Sequence, residues 1–295
     1  MAKASGQFAY LNGDFCPLEK CTISPQDRGF LFGDGVYEVI PVFNRQPFAL
    51  DPHLDRLENS LARTDLLNPL TRTQWASMID QLIQYHPWSQ QSIYIQVTRG
   101  CALHRDHRPD PNLTPTLYAY ASELLPVAAS LRESGLSAVT LADDRWGHCD
   151  IKAITLLANV RLKMQAQRQN ADDAILLDEA GFVTEATASN VFVVKDNHLS
   201  TPPLSRALLP GITRQIILEI AQHLPIEVSQ TPIHQNALAE ADEIWLTSST
   251  KNALPVTQLN QRGVGSGQPG PWWAEFDRQM RAYQQHWPAP FQRHD

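Results

Sequence analysis

The chain has 295 residues, of which 43% are hydrophobic and 19% are charged, and its formal net charge is -7. This composition is typical of a globular protein with a sizeable core, and the acidic balance argues against nucleic acid as a partner, because phosphate binding needs clustered Lys and Arg. No secretory signal and no run of about 18 apolar residues occurs, so we expect a cytoplasmic protein without a membrane span.

The first half of the chain alternates short β-rich runs with amphipathic helices. Residues 36–43 and 47–50, separated by Asn44-Arg45-Gln46, predict a β-hairpin. Apolar periodicity and β-branched runs then predict helices over 53–64 and around 75–83, followed by strands over 93–98 and 116–121.

The second half mixes strands and helices without a regular βαβ alternation, which favours an α+β fold over a Rossmann sheet. Its predicted elements are strands over 136–142, 174–177, 191–194 and 243–246, and helices over 153–168, 212–223 and 272–286. The segment around Pro126 has little periodicity and predicts a linker. We therefore expect an N-terminal α+β domain over 1–123, a linker over 124–130 and a C-terminal α+β domain over 131–295.

Several site classes are absent from the sequence. It contains no G-x-G-x-x-G, Walker A or H-E-x-x-H motif. The four cysteines are not spaced as metal ligands, so we expect no metal site and reduced, mostly buried thiols.

Lys152 is one of only six lysines. The largely apolar run Ala153-Ile-Thr-Leu-Leu157 follows it, so its amine would be partly desolvated, which favours the neutral, nucleophilic form needed for Schiff-base chemistry. The alternative is a lysine whose stem packs while its ammonium reaches solvent.

Glu185 precedes a run of small and hydroxyl residues that ends at Ser189-Asn190. Such a Glu is commonly part of a turn or a cap. The functional alternative is a buried carboxylate that keeps a cationic ring nitrogen protonated.

An anion site is indicated where Gly211-Ile-Thr-Arg214 opens a helix and Thr247-Ser-Ser249 ends a strand. The N–H groups of a helix N-terminus and nearby hydroxyls bind phosphate, and Arg56 can add a bidentate charge.

Seven runs, taken together and in order, resemble the D-amino-acid aminotransferases, which are fold-type IV pyridoxal-phosphate enzymes of the class IV aminotransferase family. The resemblance covers residues from about Phe8 to the final helix. The runs are Asp27-Arg-Gly-Phe-Leu-Phe-Gly-Asp-Gly-Val-Tyr-Glu38, His53-Leu-Asp-Arg-Leu57, Gln96-Val-Thr-Arg-Gly100, Cys149-Asp-Ile-Lys152, Val183-Thr-Glu185, Ser189-Asn-Val-Phe192 and Gly211-Ile-Thr-Arg214.

The resemblance implies two lobes with pyridoxal 5'-phosphate in the cleft between them. Lys152 matches the lysine that forms the Schiff base and shuttles the proton, and Glu185 matches the carboxylate at the ring nitrogen. The remaining matches to cofactor-binding positions are Arg56, Ser189, Leu209, Ile212, Thr213, Ser248 and Ser249.

Tyr37 matches a tyrosine that binds the substrate carboxylate together with an Arg-x-His motif from the neighbouring subunit, so the resemblance implies a homodimer. The best match to that motif is Arg105-Asp106-His107, one residue later than the family pattern. An alignment without a gap instead places His104 in the Arg position.

The resemblance implies transamination between a D-amino acid, such as D-alanine, and a 2-oxo acid, such as 2-oxoglutarate. Two enzymes of the same fold are alternatives: an aminodeoxychorismate lyase, whose family lacks the Arg-x-His motif, and an L-branched-chain aminotransferase, whose family has Tyr at the position of Leu157. A non-catalytic cofactor-binding protein is a further alternative, against which both Lys152 and Glu185 argue.

Overall fold

The computed structural model describes residues 6–287 and forms two compact units. Of the described residues, the first unit contains 6–125 together with 151–155, and the second contains 126–150 together with 156–287. Each unit combines a β-sheet with packed helices, which confirms the expected α+β class. No helix within residues 6–287 is long and apolar enough to cross a bilayer.

The first unit has a single antiparallel sheet with strand order β2-β1-β6-β5-β3-β4. Its strands are β1 (Phe8–Leu11), β2 (Asp14–Pro17), β3 (Gly35–Phe43), β4 (Gln46–Pro47), β5 (Gln91–Thr98) and β6 (Thr116–Glu123). Its α-helices are α1 (Arg28–Phe32), α2 (Leu50–Arg63) and α3 (Arg72–Gln84).

The core of the first unit lies between this sheet and helices α2 and α3. Val36 and Ile40 of β3 are fully buried, as are Leu57 of α2 and Trp75 of α3. Burial of each such side chain stabilises the fold by roughly 1.5–3 kcal/mol. Because side chains alternate along a strand, Tyr37 lies on the face of β3 that points away from this core.

The predicted hairpin is confirmed, with a shorter second strand. Asn44 and Arg45 adopt positive φ angles of 51° and 61°, which the two central residues of a tight hairpin turn require. Strand β4 then ends at Pro47, and Leu50 already begins α2. The two predicted helices and the two later strands of this unit are also confirmed.

The second unit has a mixed sheet with strand order β12-β11-β10-β13-β14-β7-β8-β9, and β15 pairs with β14. Its strands are β7 (Leu136–Ala142), β8 (Asp173–Leu177), β9 (Val183–Ala186), β10 (Asn190–Lys195), β11 (His198–Thr201), β12 (Glu227–Gln230), β13 (Glu243–Ser248), β14 (Asn252–Leu259) and β15 (Arg262–Gly263). Its α-helices are α4 (Ala129–Ser134), α5 (Leu157–Arg168), α6 (Ile212–Ala221), α7 (Gln235–Ala239) and α8 (Pro271–His286).

The helix predicted over 153–168 begins only at Leu157. Ala153 forms an antiparallel bridge with Val36, and the Ile154 N–H donates to the Gly35 carbonyl at 3.1 Å. This pairing satisfies backbone groups that a helix would otherwise use. Residues 151–155 therefore belong to the first unit, although the sequence boundaries assigned Lys152 to the C-terminal domain.

The remaining predicted elements of the second unit are confirmed within about two residues at each end. The cysteines are unpaired, as expected, but the expectation that most are buried is wrong, because Cys101 is exposed and the other three are half-buried.

Gly35 offers a direct test of the close packing between β3 and residues 151–155. A Cβ atom at Gly35 would lie 2.7 Å from the Val97 carbonyl oxygen and 2.9 Å from Ile154 Cδ1. Overpacking of this kind costs roughly 1–3 kcal/mol. We expect Gly35→Ala to lower the thermal unfolding midpoint measurably, whereas Gly263→Ala, with only ordinary contacts at its Cβ, leaves it unchanged. Equal midpoints for the two variants would contradict this packing.

Candidate active site

Lys152 is held beside Tyr37 by backbone pairing with β3. Its carbonyl accepts the Tyr37 N–H at 2.9 Å, and its own N–H donates to the hydroxyl of buried Ser60 at 3.3 Å. The bridge between Val36 and Ala153 places the Lys152 and Tyr37 side chains on the same face. Lys152 Nζ lies 4.2 Å from the centroid of the Tyr37 ring. Among residues 6–287 no ion pair includes this amine.

Tyr37 begins a row of tyrosine rings that crosses the first sheet. Its ring centroid lies 5.8 Å from that of Tyr94, which in turn lies 5.3 Å from that of Tyr120. Burial raises the pKa of Tyr94 well above its ordinary value, and the Tyr94 hydroxyl donates to Gln96 at 2.7 Å. Tyr94 is thus a neutral phenol at physiological pH and supports the Tyr37 ring without adding charge.

Arg56 is buried and its orientation is fixed by Glu38. The guanidinium donates to both carboxylate oxygens of Glu38, at 3.0 Å from Nε and 2.7 Å from Nη2, and His53 Nδ1 lies 3.0 Å from the same carboxylate. Burial would raise the pKa of Glu38, but the charge of Arg56 and the His53 contact hold it far below its ordinary value. Burial lowers the pKa of His53, which leaves that imidazole neutral. Glu38 is therefore a permanent carboxylate that aims the guanidinium.

The Arg105-Asp106-His107 segment lies in an exposed loop between β5 and β6. Both residues of the predicted motif, Arg105 and His107, contact the ring of Phe32. The Arg105 Cζ atom lies 4.9 Å from the Phe32 ring centroid, and the His107 ring centroid lies 5.3 Å from it. His104, the alternative to Arg105, is also exposed. The structure therefore brings Arg105 and His107 together.

Glu185 is buried in the second unit and pairs with Arg145, a residue for which the sequence analysis assigned no role. Arg145 also forms a bidentate pair with Asp143, at 2.8 Å from Nε and 2.7 Å from Nη2. Burial raises the pKa of the Glu185 carboxyl, and the Arg145 charge opposes that shift. Burial alone would lower the pKa of Arg145, but its hydrogen bonds to Asp143 and the charge of Glu185 raise that pKa above its ordinary value.

Asn190 connects Glu185 to the start of α6. Its side-chain amide donates to the Leu209 carbonyl at 2.8 Å and lies 3.5 Å from Glu185 Oε2, while the Leu209 N–H donates to that oxygen at 3.1 Å. A Cβ atom at Gly211 would collide with the Asn190 amide oxygen, so a larger residue there would displace the Asn190 side chain. The side chain of Asn190 thereby ties the carboxylate to the N-terminus of α6.

The N-terminus of α6 has the character of an anion site. Its cap is Gly211, no side chain caps it, and the first-turn residues Ile212 and Thr213 are buried. N–H groups of a first helical turn need acceptors, and the helix dipole favours a negative one. Helix α6 packs on β13, whose last residue is Ser248.

The remaining predicted cofactor residues lie at hairpin turns of the second unit. Ser189 lies in the turn between β9 and β10, where its carbonyl accepts the Ala186 N–H at 2.7 Å. Ser248 and Ser249 are half-buried at the turn between β13 and β14.

The donors fit pyridoxal phosphate in chemical type within each unit. The second unit offers a buried carboxylate for a cationic ring nitrogen and an uncapped helix N-terminus for a phosphate. The first unit offers a primary amine that could form a Schiff base and a preoriented guanidinium that could bind phosphate. Sequence reasoning missed Glu38, Arg145 and Asn190 as supporting residues. Glu38 and Asn190 lie within the seven runs that resemble the family. Arg145 lies outside those runs, and its neighbours in the sequence do not distinguish it from a surface arginine.

Comparisons with known proteins identify the family of this chain. The family model described as amino-transferase class IV matches residues 35–259. A curated relative from Bacillus licheniformis, named D-alanine aminotransferase, is 38% identical over 262 residues, which cover 88% of this chain and 91% of the relative.

Solved structures show the same fold. The branched-chain amino acid aminotransferase of Escherichia coli superposes with a TM-score of 0.88 at 22% identity, over 94% of each chain. The branched-chain aminotransferase of the archaeon Thermoproteus uzoniensis, solved with norvaline, has a TM-score of 0.83 at 23% identity, over 94% of each chain. Since the family model spans both units and the curated relative spans nearly the whole chain, this protein belongs to the class IV aminotransferase family.

Proposed function

We propose that this protein is a pyridoxal-phosphate-dependent aminotransferase that transfers the amino group of a D-amino acid, such as D-alanine, to a 2-oxo acid, such as 2-oxoglutarate. The observation that carries the proposal is the amine of Lys152, held by strand pairing beside Tyr37 and outside any ion pair among residues 6–287. The D-alanine aminotransferase of Bacillus licheniformis supports the choice of substrate.

Several residues would hold the cofactor. Arg56, the N-terminus of α6 at Ile212 and Thr213, and the hydroxyls of Ser248 and Ser249 suit its phosphate. Leu209 and Ser189 suit the ring and its surroundings. When bound, pyridoxal phosphate supplies an aldehyde that exchanges with amino groups and a cationic ring that withdraws electrons from the substrate Cα–H bond.

Glu185 would keep that ring cationic. An anionic carboxylate beside a pyridine nitrogen stabilises its protonated form, most strongly where water is excluded. Burial raises the pKa of Glu185, whereas the charge of the paired Arg145 opposes that rise and favours the carboxylate form. Arg145 in turn forms a second ion pair with Asp143.

Lys152 would act as the general base that removes the substrate Cα proton. Tyr37, whose ring lies beside the amine, would bind the substrate carboxylate together with Arg105 and His107. Which enantiomer presents its Cα–H bond to Lys152 depends on where that carboxylate is bound, so these residues would set the preference for D-amino acids.

The resemblance further supports a homodimer in which Arg105 and His107 serve the neighbouring subunit's site. The molar mass in solution, measured by light scattering, tests this part of the proposal. A cytoplasmic location stays a prediction.

The substrate test is a steady-state assay of the purified, cofactor-loaded protein. We expect D-alanine and 2-oxoglutarate to give pyruvate and D-glutamate, resolved by chiral chromatography, and L-leucine to give no product. Turnover of L-leucine alone would support the branched-chain alternative, and pyruvate release from aminodeoxychorismate alone would support the lyase. No turnover of any of them would support the non-catalytic alternative.

Replacement of Lys152 by alanine should abolish turnover. A positioned general acid or base contributes roughly 10²–10⁴-fold to a rate, and this residue also anchors the cofactor, so we expect kcat to fall by at least about 10³-fold. Borohydride reduction followed by peptide mass spectrometry should find the cofactor on the Lys152 peptide of the unsubstituted protein. The control is Lys195→Ala, a half-exposed surface lysine, which should retain full activity. Substantial activity in Lys152→Ala would refute the assignment.

Glu185→Gln should lower kcat while the fold is retained. The amide keeps an acceptor for the Leu209 N–H but loses the negative charge, and hydrogen bonds to charged groups are worth roughly 1.5–3 kcal/mol, or about 10- to 100-fold in rate. The matched control Glu179→Gln removes an exposed carboxylate and should have no effect. If both variants kept the original kcat, Glu185 would have no role at the ring.

A further inference from the structure

Arg28 is a buried arginine that the proposed reaction does not use. Only 3% of its surface is exposed, on the short helix α1. Its Nη1 donates to the Asp106 carbonyl at 2.6 Å and its Nη2 to the His107 carbonyl at 3.0 Å. Two N–H groups of one guanidinium therefore donate to consecutive backbone carbonyls of an otherwise exposed loop.

Phe32, one turn after Arg28, provides a platform for the side chains of the same loop. The Arg28 Cζ atom lies 4.6 Å from the ring centroid, and the Arg105 Cζ atom lies 4.9 Å from it. The His107 ring centroid is 5.3 Å away. Guanidinium groups are attracted to aromatic faces at this range. The ring therefore contacts both residues of the predicted carboxylate trap.

The base of this arrangement is anchored to the first unit. Arg28 Nε donates to Asp34 at 2.7 Å, and Arg99 binds the same carboxylate at 2.9 Å. Burial would raise the pKa of Asp34, but hydrogen bonds from Arg99 and Arg28 lower it, so the carboxylate stays charged. Helix α1 is itself capped by buried Asp27, which accepts the Gly29 N–H at 2.8 Å.

We propose that Arg28 and Phe32 form a clamp that positions Arg105 and His107, and thereby sets the affinity for the α-carboxylate that amino acid and 2-oxo acid substrates share. This inference rests on the proposed function. Arg28 is a positioning residue, since it acts on the trap through the loop backbone. Groups that bind a ligand must be held to within about 0.5 Å of their productive position, which an exposed loop without an anchor does not provide.

The test uses Arg28→Lys in the cofactor-loaded protein. Lysine keeps the positive charge beside Asp34, but its single ammonium cannot reproduce the planar fork that holds two carbonyls. The matched control is Arg99→Lys, since Arg99 shares Asp34 but donates to the carbonyls of Thr64 and Asp65. Phe32→Leu is a second variant that removes the ring and leaves Arg28 in place.

Two measurements are made on each variant. Hydrogen–deuterium exchange of peptides covering 101–110 should become faster in Arg28→Lys and unchanged in Arg99→Lys. The KM values for D-alanine and 2-oxoglutarate should rise together by at least about fivefold in Arg28→Lys and in Phe32→Leu, with kcat and visible cofactor absorbance nearly unchanged, because lost uniform binding raises KM alone.

Unchanged exchange in both Arg28→Lys and Phe32→Leu would overturn the clamp. Faster exchange with unchanged KM values would overturn its role in carboxylate binding. If the unsubstituted protein did not turn over D-amino acids, the proposed function would fail, whereas the exchange experiment would still decide whether the clamp exists.

Discussion

The pairing of residues 152–154 with the start of β3 is the constraint on which the candidate site depends. Two backbone hydrogen bonds, from Tyr37 N–H to the Lys152 carbonyl and from Ile154 N–H to the Gly35 carbonyl, fix a short segment that has no regular structure of its own. Because the pairing determines which side chains share a face, it also places the Lys152 amine beside the Tyr37 ring. The close fit at Gly35 leaves this register little freedom.

Buried arginines with acidic partners recur in both units. Arg56 pairs with Glu38, Arg145 with Glu185 and Asp143, and Arg28 with Asp34. An unpaired charge is costly to bury, so each pair restricts where its guanidinium can point. The three arginines have different proposed tasks: Arg56 suits the cofactor phosphate, Arg145 pairs with the carboxylate proposed for the ring nitrogen, and Arg28 positions a substrate-binding loop. Preorganised charges of this kind need little rearrangement during a reaction.

The sequence predicted the α+β class and most long elements, because apolar periodicity in α2, α3, α6 and α8 reports directly on burial. It did not predict short strands such as β1, β9 and β12, whose four residues show too little alternation, or β14, which contains Pro255. The helix over 153–168 was predicted to begin too early, because Ala153 and Ile154 suit helix and strand alike and only tertiary pairing with Val36 decides between them.

The candidate site was predictable where motif residues carry the chemistry, as for Lys152, Glu185 and Arg56. Their supporting partners depend on long-range contacts: Arg145 lies 40 positions from Glu185, and Arg28 lies 78 positions from the Asp106 carbonyl that it binds. No local pattern encodes such pairs. The relation of Arg105 and His107 to Phe32 likewise appears only once the chain is folded.

If the Lys152 amine removes the Cα proton of a D-amino acid, that hydrogen should exchange with solvent. The most direct measurement is proton NMR of D-alanine and of L-leucine, each incubated in D2O with the cofactor-loaded protein and no acceptor. We expect deuterium to replace the Cα hydrogen of D-alanine alone, and the Lys152→Ala substitution to abolish the exchange. Exchange into L-leucine with none into D-alanine, or undiminished exchange in Lys152→Ala, would contradict this expectation.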